Sequence, residues 1–120
     1  MDNLSRHFSR HEFACKCGCG QDTIDAALIA TLEMVRMHFD RPIGINSGNR
    51  CKAYNATLPN ASPNSQHLLG RAADFVVAGV MPDRVFGFLR DDHPGGLGAY
   101  RTFTHIDSRS NRARWDFSKR

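Results

Sequence analysis

No run of apolar residues in this 120-residue chain approaches the roughly 20 that a helix needs to cross a bilayer, so membrane insertion is not expected. The first ten residues, Met1 to Arg10, are polar and lack the apolar core of a secretory signal. The chain is therefore expected to be cytoplasmic at synthesis, and action outside the inner membrane would need a separate route of release. Internal repeats and low-complexity segments are absent, which removes solenoids and disordered linkers from consideration. Basic residues interleaved with aromatics, the mark of common nucleic-acid modules, are also missing. A nucleic-acid partner is not expected.

What is present is an ordinary globular composition. Hydrophobic residues make up 41% and charged residues 23%, and the length suits one core, so residues 1–120 are expected to form a single domain. The formal charge is +4, from 16 Lys+Arg against 12 Asp+Glu. Much of the excess lies in Arg101, Arg109, Arg112, Arg114, Lys119 and Arg120. Such a basic end reads either as a solvated face or as a surface for polyanions.

Four cysteines stand at Cys15, Cys17, Cys19 and Cys51. Zinc knuckles prefer two to four residues between ligands, and a one-residue gap makes a poor tetrahedral chelator. A disulfide from the cluster to Cys51 is disfavoured by a cytoplasmic origin. Reduced structural thiols are the first reading, with a bound metal and a disulfide left open behind it.

Secondary structure follows from periodicity and punctuation. Ser9, with Glu12 three residues on, makes a capping box for a short helical turn, and Cys15 to Gly20 is too glycine-rich for anything but loop. Ile24, Leu28, Leu32, Val35 and Phe39 recur at helical spacing, predicting an amphipathic helix from Asp22 or Thr23 to about Phe39. Pro42 ends it, and Ile43 to Ser47 alternates as a strand. A turn then delivers Arg50, Cys51 to Leu58 suits a brief helix, and Pro59 to Asn64 is a polar loop suited to the rim of a site. Ala72 to Val77 reads as a buried strand. Pro82 opens a helix to about Arg90 from its first position, and Asp91 to Gly98 reads as a turn. Three short strands close the chain at Gly98 to Tyr100, Phe103 to Asp107 and Arg112 to Trp115. Helices grouped before and between antiparallel hairpins indicate an α+β fold.

The chemistry-bearing residues gather in Ser65-Gln66-His67-Leu68-Leu69-Gly70-Arg71-Ala72-Ala73-Asp74 and in His105-Ile106-Asp107. Imidazole and carboxylate are the usual ligands of catalytic zinc, which keeps three protein ligands and one open position. Gly70 lets the chain turn between His67 and Asp74. His105 and Asp107, two apart in a strand, share a face with Phe103, while Ile106 points into the core. On spacing alone, two unrelated histidines among the six of the chain remain the alternative. His7, His11, His38 and His93 have no comparable context.

The pattern Ser65-x-His67-x-x-Gly70-x-Ala72-x-Asp74, followed later by His105-x-Asp107, resembles the signature of the hedgehog/DD-peptidase superfamily. Its enzymes include zinc D-alanyl-D-alanine carboxypeptidases and dipeptidases, and phage L-alanoyl-D-glutamate endopeptidases. The resemblance runs from Phe8-Ser9-x-x-Glu12-Phe13 through Ser47-Gly48-x-Arg50 to Arg112-x-Arg114-Trp115, and small phage and prophage members are the most similar. It implies an antiparallel-rich central sheet with helices packed on one side, and one Zn2+ ion bound by His67, Asp74 and His105. It also implies that Arg50 holds a substrate carboxylate or carbonyl and steadies the oxyanion, and that Ser65 hydrogen-bonds near the scissile peptide. Several relatives place an acid or a histidine three residues before the last ligand as general base. Here that position is Thr102, and 97–104 contains no acid and no other histidine. Asp107 is the nearest substitute, as catalytic base or as a group orienting a ligand imidazole, and both roles stay open.

The function implied is a monomeric zinc peptidase that cuts stem peptides or cross-links of bacterial peptidoglycan. It would act in the periplasm or cell wall after release, as a phage or prophage lytic enzyme. The loop 59–64 and the Asp91 to Gly98 turn are expected to line its groove. A non-catalytic zinc-containing binding module of the same fold is the alternative, and a zinc-ribbon-like nucleic-acid binder built on the cysteines is a further rival.

Overall fold

The computed structural model describes residues 3–119; of the residues named above, Met1 and Arg120 lie outside them. The chain runs through a 3-10 turn (Arg10–Phe13), α1 (Ala26–Phe39), β1 (Ile43–Ser47), α2 (Lys52–Thr57), a second 3-10 turn (Gln66–Leu69), β2 (Ala72–Val77), α3 (Pro82–Leu89), β3 (Gly96–Ala99), β4 (Thr104–Asp107) and β5 (Ala113–Asp116). The strands form one sheet in the order β1-β2-β4-β3-β5. Its pairings are antiparallel except for β3 with β5, which is parallel. The α+β expectation holds. No helix among the described residues is long and apolar enough to cross a membrane.

Helix α1 is built on the expected stripe, with Leu28, Leu32 and Val35 buried and Ile29 added to them. Its start lies later than the spacing predicts. The segment before it is held extended by long-range bonds, since the Asp25 N–H donates to the Gly70 carbonyl at 2.9 Å and the Thr23 carbonyl accepts from the Asn49 amide at 2.8 Å. Ile24 therefore packs against the core from outside the helix. At the other end Asp40 adopts the left-handed conformation (φ 53) and returns its N–H to Arg36. Pro42 then prevents any continuation.

Strand alternation sorts the sheet into two faces. Ala73, Phe75 and Val77 of β2, Leu97 of β3 and Ile106 of β4 join Leu28, Ile29, Leu32 and Val35 of α1 and Val85 and Leu89 of α3 in one buried cluster. Each fully buried aliphatic or aromatic side chain there contributes about 1.5–3 kcal/mol. The intervening residues of β2 and β4 face the other way. Register places Asp74 opposite His105 and Ala73 opposite Ile106, so the hydrophobic alternation that fills the core also sets a carboxylate beside an imidazole on the opposite face.

Strand β3 begins inside the stretch expected to be a turn. Glycines at 96 and 98 are compatible with this strand because a side chain at Gly96 would collide with the Asp107 carboxylate, and one at Gly98 with the Trp115 indole. The Asp91 to Gly95 remainder of the turn is clamped by the C-terminal arginines. Arg112 donates to the carbonyls of Arg90 and Asp91, and Arg114 to those of Arg90, His93 and Gly95.

Candidate metal centre and its groove

His67 enters the site from the 3-10 turn Gln66–Leu69, which Ser65 caps by accepting the His67 N–H at 3.2 Å. Gly70 follows in the left-handed conformation (φ 68), with the Thr23 carbonyl so close that a side chain would not fit. The chain thereby reverses into β2 and brings Asp74 back to His67. The Nε2 of His67 lies 3.2 Å from Asp74 Oδ2, and the Nδ1 of His105 lies 2.8 Å from Asp74 Oδ1. All three side chains are buried, and their donor atoms lie within 4.8 Å of one another.

The second nitrogen of each imidazole is occupied. Nδ1 of His67 sits 2.7 Å from the Gly48 carbonyl, which can only accept, so this nitrogen carries the proton. Nε2 of His105 sits 2.8 Å from Asp107 Oδ2, which fixes the proton there in the same way. The inner nitrogen of each ring, His67 Nε2 and His105 Nδ1, faces Asp74, as an N–H donating to the carboxylate when it carries a proton and as a ligand lone pair once that proton is given up. Metal-binding histidines characteristically have their outer nitrogen held by a carbonyl or carboxylate in this manner. Two neutral imidazoles and one carboxylate, with a groove on the open side, suit a zinc ion with one free coordination position.

The charges agree with this arrangement. Burial pushes the Asp74 carboxyl up, but hydrogen bonds and charge from His105 and His67 outweigh it and hold the group well below the usual carboxylate range. For His105, burial favours the neutral ring, while hydrogen bonds to Asp107 and Asp74 overcome that and raise its proton affinity. A proton is thus the natural competitor of a metal at this centre.

Asp107 is fully buried behind His105. Its Oδ1 accepts the Gly96 N–H at 2.9 Å, the Arg109 N–H at 3.1 Å and the Arg109 Nε at 2.8 Å; its Oδ2 accepts Arg109 Nη2 at 2.7 Å besides His105. It does not line the groove. With both oxygens committed and no face toward the open side, the geometry of Asp107 suits holding His105 and does not suit a catalytic base. His93, set aside on sequence, braces this same residue from below through Nε2 to the Asp107 carbonyl at 2.9 Å. Its signal in the sequence was nil, because the contact spans the whole β3–β4 hairpin.

Arg50 reaches the centre from the turn after β1. Its Nη2 lies 3.2 Å from Asp74 Oδ2, Nε donates to Ser47 Oγ at 3.0 Å and Nη1 to Asn55 Oδ1 at 3.3 Å. The centre opens into a groove of about 540 Å³. One wall is the expected polar loop, from Pro59 to Asn64. The other wall is aromatic and was not anticipated: Tyr100 and Phe103 stack at 4.4 Å, and Trp115 donates its indole N–H to the Tyr100 hydroxyl at 2.9 Å. Arg109 lies over the Trp115 ring at 5.2 Å. The Asp91 to Gly95 turn contributes nothing to this groove. Phe103 was legible from strand parity with His105, whereas Trp115 is delivered by the parallel edge strand β5.

The basic C-terminal end is less free than its composition implies. Arg109 is spent on Asp107, and Arg112 and Arg114 on backbone carbonyls. The four cysteines are free thiols, not disulfides, and they converge beside the turn that carries Arg50.

A family model described as Peptidase M15 matches residues 6–107. No curated protein matches the chain. The match ends on Asp107, so β5 and its Trp115 lie beyond it.

Proposed function

The chain belongs to the Peptidase M15 family, and on that premise we propose that it is a zinc-dependent peptidase cutting the stem peptides or cross-links of bacterial peptidoglycan. The observation that carries this reading is the convergence of His67, Asp74 and His105 at the floor of an open groove, with each imidazole held by its outer nitrogen. A zinc ion bound there supplies a Lewis acid and a water acidified to a pKa of about 7.

The remaining work falls to the chain's own residues. The Gly48 carbonyl and Asp107 keep the two imidazoles in the tautomers that leave His67 Nε2 and His105 Nδ1 as ligand atoms. Arg50, held by Ser47 and Asn55, presents its guanidinium beside the centre. There it meets a substrate carboxylate, or the carbonyl oxygen on which negative charge develops during attack. Ser65 fixes the His67 turn from the groove rim. The aromatic wall gives the peptide an apolar surface, and the 59–64 loop gives it polar partners.

The enzyme of this proposal acts as a monomer in the periplasm or cell wall after release, as phage and prophage lytic enzymes do. Purified sacculi should lose turbidity with the zinc-loaded protein and stay intact with a folded His67→Ala variant. Full clearing by that variant would sink the mechanism. One observation favours a second reading, a non-catalytic zinc-containing module. Among the described residues, Asp74 is the sole carboxylate lining the groove, so no uncommitted acid stands ready as general base. Stable binding to sacculi without release of any fragment would support that reading.

A further inference from the structure

The cysteine cluster is a separate group from His67, Asp74 and His105, and none of its residues lines the groove. The ligand sulfurs of Cys15, Cys17, Cys19 and Cys51 all lie within 4.8 Å of one another. Cys15 Sγ stands 3.5 Å from Cys17 Sγ, which stands 3.6 Å from Cys51 Sγ. Four thiolates around a tetrahedral zinc at about 2.3 Å are separated by about 3.8 Å, so the sulfurs are already close to coordination spacing. Burial does not explain the gathering, because Cys17 and Cys19 are exposed.

The backbone is shaped to the same end. Glycines at 18 and 20 adopt positive φ (85 and 89) between and after the cysteines, which curls the segment so that sulfurs one residue apart reach a common point. The loop is closed by the Cys15 N–H to the Gln21 carbonyl at 2.7 Å and the Gly18 N–H to the Cys15 carbonyl at 3.2 Å. Backbone N–H groups point at the sulfurs, from Cys51 to Cys15 Sγ at 3.3 Å and from Tyr54 to Cys51 Sγ at 3.4 Å.

We propose that Cys15, Cys17, Cys19 and Cys51 form a second metal centre, a closed tetrathiolate site for a structural zinc ion. Four protein ligands leave no open coordination position, which separates it in kind from the His67–Asp74–His105 centre. Soft thiolates select zinc over the harder magnesium and calcium. The ion ties the 14–21 loop to the N-terminus of α2, next in sequence to Arg50. The same junction is braced by Gln21, which donates to the Asn49 side chain at 2.6 Å and to the Arg50 carbonyl at 3.3 Å. The second ion thereby steadies the turn that carries Arg50 into the groove.

The test is the zinc content and ligand set of the full-length purified protein. Wild type should hold two zinc ions per chain. The His67→Ala/His105→Ala double variant should keep one, with an absorption edge fitted by sulfur alone at about 2.3 Å. Cys17→Ser and Cys19→Ser, both at exposed positions, should each lose that ion while the His/Asp centre keeps its own. Co2+ added to the metal-free double variant should give thiolate charge-transfer bands and tetrahedral visible bands, and all four thiols should be slow toward a thiol reagent until the metal is removed. A double variant that takes up neither zinc nor Co2+ and whose thiols all react at once would overturn the proposal. So would a mass showing a disulfide within the cluster, or an edge requiring nitrogen or oxygen ligands.

Discussion

The two clusters of ligand side chains in this molecule are built in opposite ways. Asp74 and His105 are paired residues of neighbouring strands, and their spacing is set by a sheet whose other face is buried against α1 and α3. Cys15, Cys17 and Cys19 lie in a loop without strand or helix, and Cys51 stands at the N-cap of the short α2. The first cluster is placed by packing and can leave one side open for a substrate. In the second, Cys15 is buried while Cys17 and Cys19 are exposed, and the loop is held by hydrogen bonds to which a metal would add its own. The proposed catalytic centre would take its rigidity from the packed sheet, whereas the proposed thiolate centre would add rigidity to a loop held otherwise by hydrogen bonds.

The largest effect that would break this contrast is expected from His67→Ala. It should abolish sheet-face zinc and all release of wall fragments while leaving the cysteine-bound ion in place, as read by metal analysis alongside a digestion assay. Loss of both ions would mean that the two centres are not independent. Next comes Cys51→Ser, which should remove only the thiolate-bound ion and lower the melting midpoint by more than about 5 °C. An unchanged midpoint would deny the cluster a structural role.

The two clusters also differ in how far they could be read from sequence. His67, Asp74 and His105 were legible as a set through the resemblance carried by Ser65-x-His67-x-x-Gly70-x-Ala72-x-Asp74 and His105-x-Asp107, whereas spacing alone left two unrelated histidines as the alternative. The sheet then only had to pair β2 with β4. The cysteines resisted, since a gap of one residue suggests poor chelation unless glycines at 18 and 20 curl the loop, and since Cys51 arrives from 36 positions after Cys15. Trp115 and the buried His93 were opaque for a related reason: each depends on a pairing, β3 with β5 or the β3–β4 hairpin, that leaves no local period. In the basic C-terminal end, composition did not show that Arg112 and Arg114 donate to backbone carbonyls and Arg109 to Asp107.

Asp107→Asn sharpens the contrast from within the sheet-face centre. An amide cannot hold both Arg109 and the His105 proton as the carboxylate does, so zinc affinity and kcat/KM should fall about 10–100-fold, with KM for substrate nearly unchanged. A bell-shaped pH profile that loses its acidic limb in this variant, with metal affinity intact, would instead make Asp107 the base. Trp115→Ala should act more mildly, raising KM severalfold with kcat largely kept, because it removes part of the groove wall and no ligand.

The smallest effect belongs to a control outside both centres. Glu33 on α1 accepts the Ser5 hydroxyl at 2.5 Å, the His7 N–H at 2.8 Å and the His7 ring at 2.6 Å. Burial raises its pKa, but these bonds outweigh it and leave the group depressed. A depressed folded value means stability that is full above the unfolded pKa of about 4.3 and is lost as pH falls through the folded value. Glu33→Gln should therefore cost at most about 1 kcal/mol at neutral pH and flatten the acid limb of the stability curve, with both metal contents unchanged.

The most direct test of the central claim is mass spectrometry of fragments released from purified sacculi by the metal-free protein, before and after zinc is restored. No fragments are expected without zinc, one defined class of cleaved stem-peptide bond with it, and none from His67→Ala at equal cysteine-bound zinc. Cleavage that persists without metal, or in that variant, would contradict a peptidase centred on His67, Asp74 and His105.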